Sequence, residues 1–239
     1  MAKAKRPVFI PDPDHGLVRE ELVEFEWFSG FSHTQKARSI DSMHKAASEI
    51  FVNSSFLEIS SKSSEEIGAK LSAFNLYIPC DESDRPLLLE AAFQGSKVFK
   101  SGKQHKNLYT FNSGKDVKRF MKEQPEEELT EFKFEGKSWP LTPLSAFYDW
   151  LYLRGLSHLE VDDPHSLDSL SSYTGFTDIE FNPQRSINCQ ARSCALYVAL
   201  LRAELFRDAI SHPDAFIEIL KQRDYGMPPE NSQQLTFGK

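Results

Sequence analysis

The sequence predicts an α+β fold: one predominantly helical domain with a small sheet. The chain has 239 residues, and no low-complexity linker divides it. Its apolar fraction of 40% and charged fraction of 26% are typical of soluble globular proteins, so we expect a core that needs no disulfides or metals. Segments with helical periodicity and short alternating segments do not follow one another regularly, which argues against a doubly wound sheet.

We expect residues 1–21 to form an extended N-terminal arm, residues 22–223 a single catalytic domain, and residues 224–239 a loose C-terminal tail. The first twenty residues contain four Pro or Gly and few periodic apolar positions. No run of 18 apolar residues is present, so neither a membrane span nor a secretory signal is predicted. The three cysteines lack C-x-x-C spacing and are expected to be reduced thiols of a cytoplasmic protein.

In the first half of the chain, residues 22–28 alternate as a strand does, with Val23, Phe25 and Trp27 on one side. Residues 34–50 show the apolar spacing of an amphipathic helix. Residues 56–60 (FLEIS) predict a short strand, and Ser63 with Glu66 forms a capping box before a short helix. The next predicted helix covers residues 88–99.

In the second half, Ser113 and Asp116 predict a capped helix through Lys122, and residues 131–135 (EFKFE) alternate as a strand. Thr142 followed by Pro143 is typical of a helix start. The remaining predicted elements are a strand over residues 176–181, a long apolar helix over residues 192–210 and a last helix from residue 213 to about residue 223.

Charge is distributed unevenly around a net charge of −7, which disfavours a general nucleic-acid binder. Residues 97–122 contain eight Lys or Arg and one acid, and residues 123–131 contain five Glu. Such a run is either a solvated face or a local basic wall that holds phosphates. The seven histidines form no i, i+4 pair, so a metal site built from histidines is not expected.

One helix carries a polar stripe. Glu90, Gln94 and Lys97 fall at i, i+4 and i+7 of the predicted helix, among small and apolar neighbours. Burial disfavours the charged forms of both Glu and Lys, and their mutual attraction opposes that effect. Such a pair can supply an acid/base and a nucleophile. The alternative is a structural Glu–Lys pair with a hydrogen-bonding Gln.

A second group of polar residues surrounds the start of the long apolar helix. Asp178 and Glu180 share one side of the predicted strand, and five polar side chains crowd the helix entry: Ser186, Asn188, Gln190, Arg192 and Ser193. Free backbone N–H groups and an Arg at a helix N-terminus suit a phosphate. Ordinary helix capping with a surface loop is the alternative.

Two further candidates are weaker. Ser72 and Asn75 lie in an apolar stretch, where Asn75 either contributes to a site or stabilises a turn. Trp139 either stacks on a base or fills the core.

In this order, the segments resemble the NADAR superfamily of YbiA-like N-glycosidases. That pattern has an LSNF-like segment, an E-H-Y-x-Q-A-x-K-F helix, a later Trp, and an acidic residue before an N-x-L-G helix. The matching residues of the second segment are Glu90, Gln94, Lys97 and Phe99, with Val98 inserted before the aromatic residue. Ala91 and Ala92 replace the His-Tyr pair, and Gln190 to Ser193 or their neighbours replace the N-x-L-G signature.

The other segments match as well. Leu71, Ser72 and Phe74 correspond to LSNF, with Ala73 where Asn is usual, and Trp139 corresponds to the Trp. Asp178 is our choice for the acidic position, with Glu180 and Asn182 as alternatives.

The strings ISSKS, LSAFN, AFQGSKVF, AFYDWLY and FTDIEFNP resemble more closely the branch of antitoxins found beside DarT-type DNA ADP-ribosyltransferase toxins. The resemblance extends from about residue 22 to residue 202. It implies an enzyme that removes ADP-ribose from guanine bases in DNA without a metal or redox cofactor. ADP-ribosylated DNA, the product ADP-ribose and the cognate toxin are the implied partners. Residues 22–50 have no clear counterpart in shorter members and are expected to form a branch-specific wall of the cleft.

The resemblance also implies roles. Glu90 is the expected general acid/base, Lys97 either attacks ribose C1 or stabilises Glu90, and Asp178 binds ribose hydroxyls. The expected substrate-binding residues are Ser72, Phe74, Asn75, Gln94, Trp139, Asn188, Gln190, Arg192 and Ser193. The expected DNA-backbone contacts are Lys100, Lys103, Lys118 and Arg119.

Two other functions remain as alternatives. The chain could be a non-catalytic immunity module that neutralises its toxin by direct binding. It could also be an N-glycosidase of a riboflavin-pathway intermediate, although the basic segment favours DNA.

Overall fold

A computed structural model describes residues 2–30 and 32–227 of the protein. Its central sheet has four strands, which in order across the sheet are β2 (residues 17–27), β1 (2–12), β9 (175–177) and β3 (56–58). Strands β1 (Ala2–Asp12) and β2 (Leu17–Trp27) form an antiparallel hairpin. Strand β9 (Gly175–Thr177) pairs antiparallel with β1 and parallel with β3 (Phe56–Glu58). This sheet sets β9, and the residues that follow it, beside β3.

The hairpin differs from the separate arm expected for residues 1–21. Residues 2–12 and 17–21 are extended, but they lie within the sheet, and the expected boundary falls inside β2. The reason is the apolar run in β1: Phe9 packs into the main core, whereas Val8 and Ile10 face the opposite side. At the other end, Tyr225 is buried rather than loose. Residues 228–239 of the expected tail lie outside the described residues.

Helix α1 (His33–Ile50) covers one face of the hairpin. Its first turn is capped by Ser32, whose side chain accepts a hydrogen bond from the Gln35 backbone N–H. The predicted apolar face is confirmed, because Ile40 and Met43 are buried against Val8 and other residues of the hairpin.

The middle of the chain consists of short elements around the main core. They are α2 (Glu66–Lys70), β4 (Tyr77–Ile78), β5 (Leu87–Leu88), α3 (Leu89–Gly95), β6 (Lys97–Phe99), a 3-10 helix (Lys106–Thr110), α4 (Gly114–Lys122), β7 (Leu129–Phe134) and β8 (Lys137–Trp139). Strands β4 and β5 pair, and β6, β7 and β8 form a second, three-stranded sheet. The predicted cap of α4 is confirmed, because the Ser113 side chain accepts from the Asp116 N–H.

The last four α-helices of the described residues include two that pass through the centre of the main core, α5 (Ala146–Asp162) and α6 (Gln190–Arg202). They are followed by α7 (Phe206–Ser211) and α8 (Pro213–Gln222), and a 3-10 helix lies at Asp168–Ser172. On α5, the Tyr152 hydroxyl donates to the Leu71 carbonyl at 2.8 Å, which ties α5 to the LSAF segment. Of the described residues, about 42% are helical and 20% are in strands, and the predicted α+β fold is confirmed. No helix within residues 2–30 and 32–227 is long and apolar enough to cross a membrane.

Three predicted elements were wrong in extent. The helix expected over residues 88–99 ends at Gly95, and the residues after it join a sheet. Gly95 is required there because a Cβ would lie 2.5 Å from the ring of Tyr109. The long helix breaks at Glu204, whose φ of 59° interrupts helical geometry, and α5 begins at Ala146, after Ser145 with φ 63°.

Two other predictions were partly correct. The short helix after Ser63 exists as α2, but the Ser63 side chain accepts from the Glu65 N–H and does not cap the helix. The strand over residues 176–181 is shorter than predicted, because residues beyond Thr177 turn away from the sheet.

Candidate functional site

Glu90 lies in the first turn of α3 and only 7% of its surface is exposed. Its Oε1 accepts a hydrogen bond from Gln94 Nε2 at 3.2 Å, as the i, i+4 spacing predicted. The oxygen of the same Gln94 amide, Oε1, is buried and has no hydrogen-bond partner among the described residues. Buried polar atoms are normally paired, so this oxygen is free to accept from a ligand.

Lys97 reaches the same region from a strand. Helix α3 has ended before it, and Lys97 pairs with Phe132 in the β6–β7 ladder. The prediction that Glu90 and Lys97 share one helix face was therefore wrong, although both side chains are buried and Lys97 is 9% exposed. Burial lowers the pKa of Lys97, and the negative charge of Glu90 opposes that change. The lysine Nζ lies 5.2 Å from the ring centroid of Phe93.

Tyr148 on α5 connects this pair to the second polar group. Its ring meets that of Phe93 edge-on, with the ring centroids 5.2 Å apart. Burial raises the pKa of Tyr148 well above its usual range, and electrostatic interactions with Glu90, Cys189 and Asp178 raise it further. The phenol therefore remains protonated and lies within electrostatic range of all three groups.

Asp178 follows β9 directly and is 7% exposed. Its Oδ1 accepts from the backbone N–H groups of Glu180 at 3.0 Å and Phe181 at 3.2 Å, which closes a tight turn. Burial, and next the negative charge of Glu58, raises the pKa of Asp178 to about 8. Glu180 instead points outward and pairs with Lys36 at 2.8 Å. Of the two acids, Asp178 is the one turned inward.

The start of α6 joins Asp178 to the LSAF segment. Gln190 Oε1 accepts from the Ala73 backbone N–H at 2.9 Å and from the Ser72 hydroxyl at 3.4 Å. A hydrogen bond from the Gln190 side chain also favours the ionised form of Asp178. Ser72, Gln190 and Asp178 thus lie together. We call this group, with Glu90, Lys97 and Tyr148, the central cluster.

The hollows of the surface do not single out the central cluster. A narrow crevice, too small to hold a water molecule, reaches Tyr148 of the central cluster and is also lined by the half-buried Asn188. A larger hollow of about 480 Å³ lies between the hairpin and α1, where Lys3 and Glu24 pair with each other. We assign the site from the buried polar groups, because the larger hollow contains no residue of the central cluster. Among the described residues, no group of three His, Cys, Asp or Glu is arranged to hold a metal ion.

A family model described as "DarT1-associated NADAR antitoxin" matches residues 4–228. The chain belongs to this family. No curated protein matches it. The match includes the hairpin, α1 and every residue of the central cluster, so the resemblance found in the motifs holds for almost the whole chain.

Three residues expected to bind substrate in this NADAR antitoxin lie elsewhere. Trp139 is 1% exposed and packs against Phe147 and Trp150, with ring centroids 5.4 and 4.8 Å away, so it fills the core. Ser193 is fully buried and donates to Asp149 Oδ1 at 2.5 Å.

Arg192 is also engaged inside the protein. Its Nε lies 3.3 Å from Glu20 Oε1, and its guanidinium lies 4.6 Å from the ring centroid of Tyr225. Burial is the largest single effect and lowers the pKa of Arg192, but the electrostatic interactions with Tyr225, Asp149 and Glu20 together outweigh it, so the pKa is raised. The guanidinium thus faces Glu20 and Tyr225, and Arg192 Nε makes no hydrogen bond among the described residues, so the pyrophosphate contact expected of Arg192 stays a prediction.

The loop between α2 and β4 supplies one exposed and one half-buried candidate. Asn75 Nδ2 donates to the Ala69 carbonyl at 2.8 Å, which is the turn-stabilising role considered for it. Phe74 is half-buried, and its ring lies 4.5 Å from Lys118 Nζ and against Gly114. A Cβ on Gly114 would lie 2.5 Å from that ring, so this glycine permits the close approach of α4.

The four predicted DNA-contacting residues are exposed, and each has a partner within the protein. Lys100 pairs with Glu128 at 2.8 Å, Arg119 pairs with Asp116 at 3.1 Å, and Lys103 donates to Gln124 Oε1 at 3.3 Å. The acidic run after residue 122 thus neutralises part of the basic segment. Exposed pairs of this kind are weak and screened, so the cations stay accessible to a phosphate.

Two members of the site were not predicted from the sequence. Tyr148 lies within an apolar helix, where it looks like a core residue. Glu58 is a carboxylate inside an apolar strand, FLEI, and that isolated charge is the signal that could have identified it.

Proposed function

We propose that this antitoxin is an ADP-ribosyl glycohydrolase that removes ADP-ribose from guanine bases of DNA. The observation that carries the proposal is the burial of Glu90 and Lys97 at one place, close enough for the charge of Glu90 to act on Lys97. Membership of a family associated with a DarT toxin supplies the context in which such a reaction is useful.

The proposed reaction hydrolyses the bond between ribose C1 and the exocyclic nitrogen of guanine. Water adds a hydroxyl group to C1, and the nitrogen leaves with a proton, through a transition state that resembles an oxocarbenium ion. Glu90 is the proposed general acid/base, because a buried carboxyl group held by Gln94 can deliver that proton without competition from bulk water. Asp178 and the unpaired Gln94 Oε1 are the proposed contacts to sugar hydroxyls.

Lys97 has two possible roles in this scheme. Its lowered pKa increases the fraction of neutral amine, which can attack C1 and expel guanine. The sugar ring then opens to give an imine with Lys97, and water hydrolyses this imine to free ADP-ribose and the lysine amine. Alternatively, the ammonium form stabilises the ionised Glu90. Borohydride distinguishes these routes, because it reduces an imine and leaves the sugar attached to Lys97.

The test uses an oligonucleotide that carries ADP-ribosylguanine. We expect the wild-type protein to release free ADP-ribose and restore guanine, and expect Glu90→Gln and Lys97→Met to lose at least about 100-fold in rate. Lys221→Met is the matched control, because it removes an exposed amine on α8, outside the central cluster and outside the predicted DNA contacts. A fully active Glu90→Gln protein that remains folded would remove Glu90 from the mechanism.

Direct neutralisation of the toxin is a second candidate, favoured by the toxin association in the family description. Folded Glu90→Gln protein separates the two functions. If it still protects cells or DNA against the toxin, binding contributes; if protection disappears with hydrolysis, catalysis accounts for it.

A further inference from the structure

Glu58 is a buried carboxylate with three hydrogen-bond donors. It is 2% exposed, and it accepts from the Ser60 hydroxyl at 2.6 Å, the Thr177 hydroxyl at 2.7 Å and the Ile179 backbone N–H at 2.8 Å. Removing a carboxylate from water is costly unless its oxygens are satisfied. The three donors therefore stabilise a carboxylate inside a strand whose other residues are apolar.

Two of these donors lie on either side of Asp178 in the sequence. Thr177 precedes it and Ile179 follows it, and the parallel pairing of β3 with β9 sets Glu58 opposite Thr177. Glu58 thus fixes one neighbour through a side chain and the other through the backbone. Rotation of the chain at Asp178 would break at least one of these bonds.

Helix α1 adds a further contact behind Glu58. His44 Nε2 lies 2.8 Å from Thr177 Oγ1. Because the threonine proton is donated to Glu58, its oxygen accepts from His44, which must carry its proton on Nε2. Burial lowers the pKa of His44 to about 4, so the ring is neutral near pH 7. The hydrogen bonds therefore run in one direction, from His44 through Thr177 to Glu58.

We propose that Glu58 is a positioning residue that holds the Asp178 carboxyl group in place for the reaction, with Thr177 and His44 orienting Glu58 in turn. The proposal rests on the proposed function, since it assigns a support to a group of that same site. It also gives α1 a part in the site, because His44 connects this helix to the Asp178 turn.

Glu58 and Asp178 also act on each other through charge. Burial raises the pKa of Glu58, and the hydrogen bonds from Ser60, Ile179 and Thr177 oppose that change by stabilising its ionised form. The negative charge of Glu58 raises the pKa of Asp178 and is the largest cause after burial. The other titratable or charged groups around the pair are Glu180 with its partner Lys36, the Cys189 thiol, the Tyr148 and Tyr152 phenols, and His44. Replacing Glu58 by neutral Gln should therefore lower the pKa of Asp178 while these groups stay unchanged.

The first experiment compares Thr177→Val with Thr177→Ser in the release of ADP-ribose from the modified oligonucleotide. Valine keeps the shape but loses the bonds to Glu58 and His44, and we expect kcat/KM to fall about 10- to 100-fold. Serine keeps the hydroxyl and should stay within about threefold of the wild type. Equal activity of two folded variants would overturn the proposal.

The second experiment does not depend on activity. The Asp178 carboxyl carbon is titrated by NMR in the wild-type protein and in Glu58→Gln, and we expect its midpoint at a lower pH in the variant. An unchanged midpoint would overturn the proposal even if hydrolysis is observed. A wild-type protein that releases no ADP-ribose, but shows the expected change of midpoint, would instead refute the proposed function and leave the support of Asp178 by Glu58 intact.

Discussion

Ser193 gives a sharp test of which polar residues hold the fold and which serve the site. Its hydroxyl donates to Asp149 Oδ1 at 2.5 Å in the buried interior. Two further donors hold the other carboxylate oxygen, Ser145 at 2.6 Å and Tyr225 at 3.1 Å. We expect Ser193→Ala to lower stability and to leave the rate of ADP-ribose release unchanged.

The magnitude follows from these contacts. A hydrogen bond to a buried charged group contributes about 1.5–3 kcal/mol, and the two remaining donors place the loss near the lower limit. For a chain of this length, about 1.5 kcal/mol corresponds to a fall in Tm of about 3–6 °C.

The assay is thermal unfolding followed by circular dichroism, together with the hydrolysis assay on the same preparations. Ser48→Ala is the matched control, because Ser48 is exposed and its hydroxyl bonds only to the carbonyl of His44 in its own helix. A Ser193→Ala protein with unchanged Tm and abolished hydrolysis would refute this reasoning and return Ser193 to the substrate-binding residues.

Three further predictions concern the core, the DNA contacts and pH. Trp139→Phe should lower the free energy of unfolding by about 1–3 kcal/mol, measured in urea, while KM for the modified oligonucleotide stays the same, because the ring packs in the core. The double change Lys118→Gln with Arg119→Gln should reduce the slope of log K against log salt for single-stranded DNA by about 1.4 if both residues contact phosphates; an unchanged slope would exclude them. Burial in the folded protein raises the pKa of Asp178 to about 8, so the folded state favours the protonated carboxyl group. The resulting stabilisation is fully present below the pKa that Asp178 has in the unfolded chain and is lost as pH rises through about 8. Asp178→Asn should therefore be more stable than the wild type at pH 9 and lose that advantage toward pH 5 in urea titrations.

The sequence predicted those elements whose signals are local. The apolar spacing of α1 and the capping Ser113 of α4 depend on residues within a few positions of each other, and both are present. The partners of β1 are distant in sequence, up to Phe176 of β9, so the first residues looked like a surface arm. Register and pairing between distant strands leave little trace in a single sequence.

The candidate site shows the same division. Glu90 and Gln94 were placed correctly because helical spacing joins them. Lys97 was assigned to the right region for the wrong reason, since the packing of Gly95 against Tyr109 ends the helix before it. Arg192 and Ser193 looked like a phosphate site, yet their partners Glu20 and Asp149 lie far away in the sequence. Which polar residues neutralise one another inside the fold is decided by tertiary contacts.

The most direct test of the proposed reaction is the intact mass of a guanine-modified oligonucleotide after incubation with the wild-type protein. We expect the DNA to lose one ADP-ribosyl group and regain unmodified guanine, with free ADP-ribose in solution, and expect Glu90→Gln to leave the mass unchanged. Modified DNA that persists after incubation with an equimolar amount of folded wild-type protein would contradict the proposed reaction.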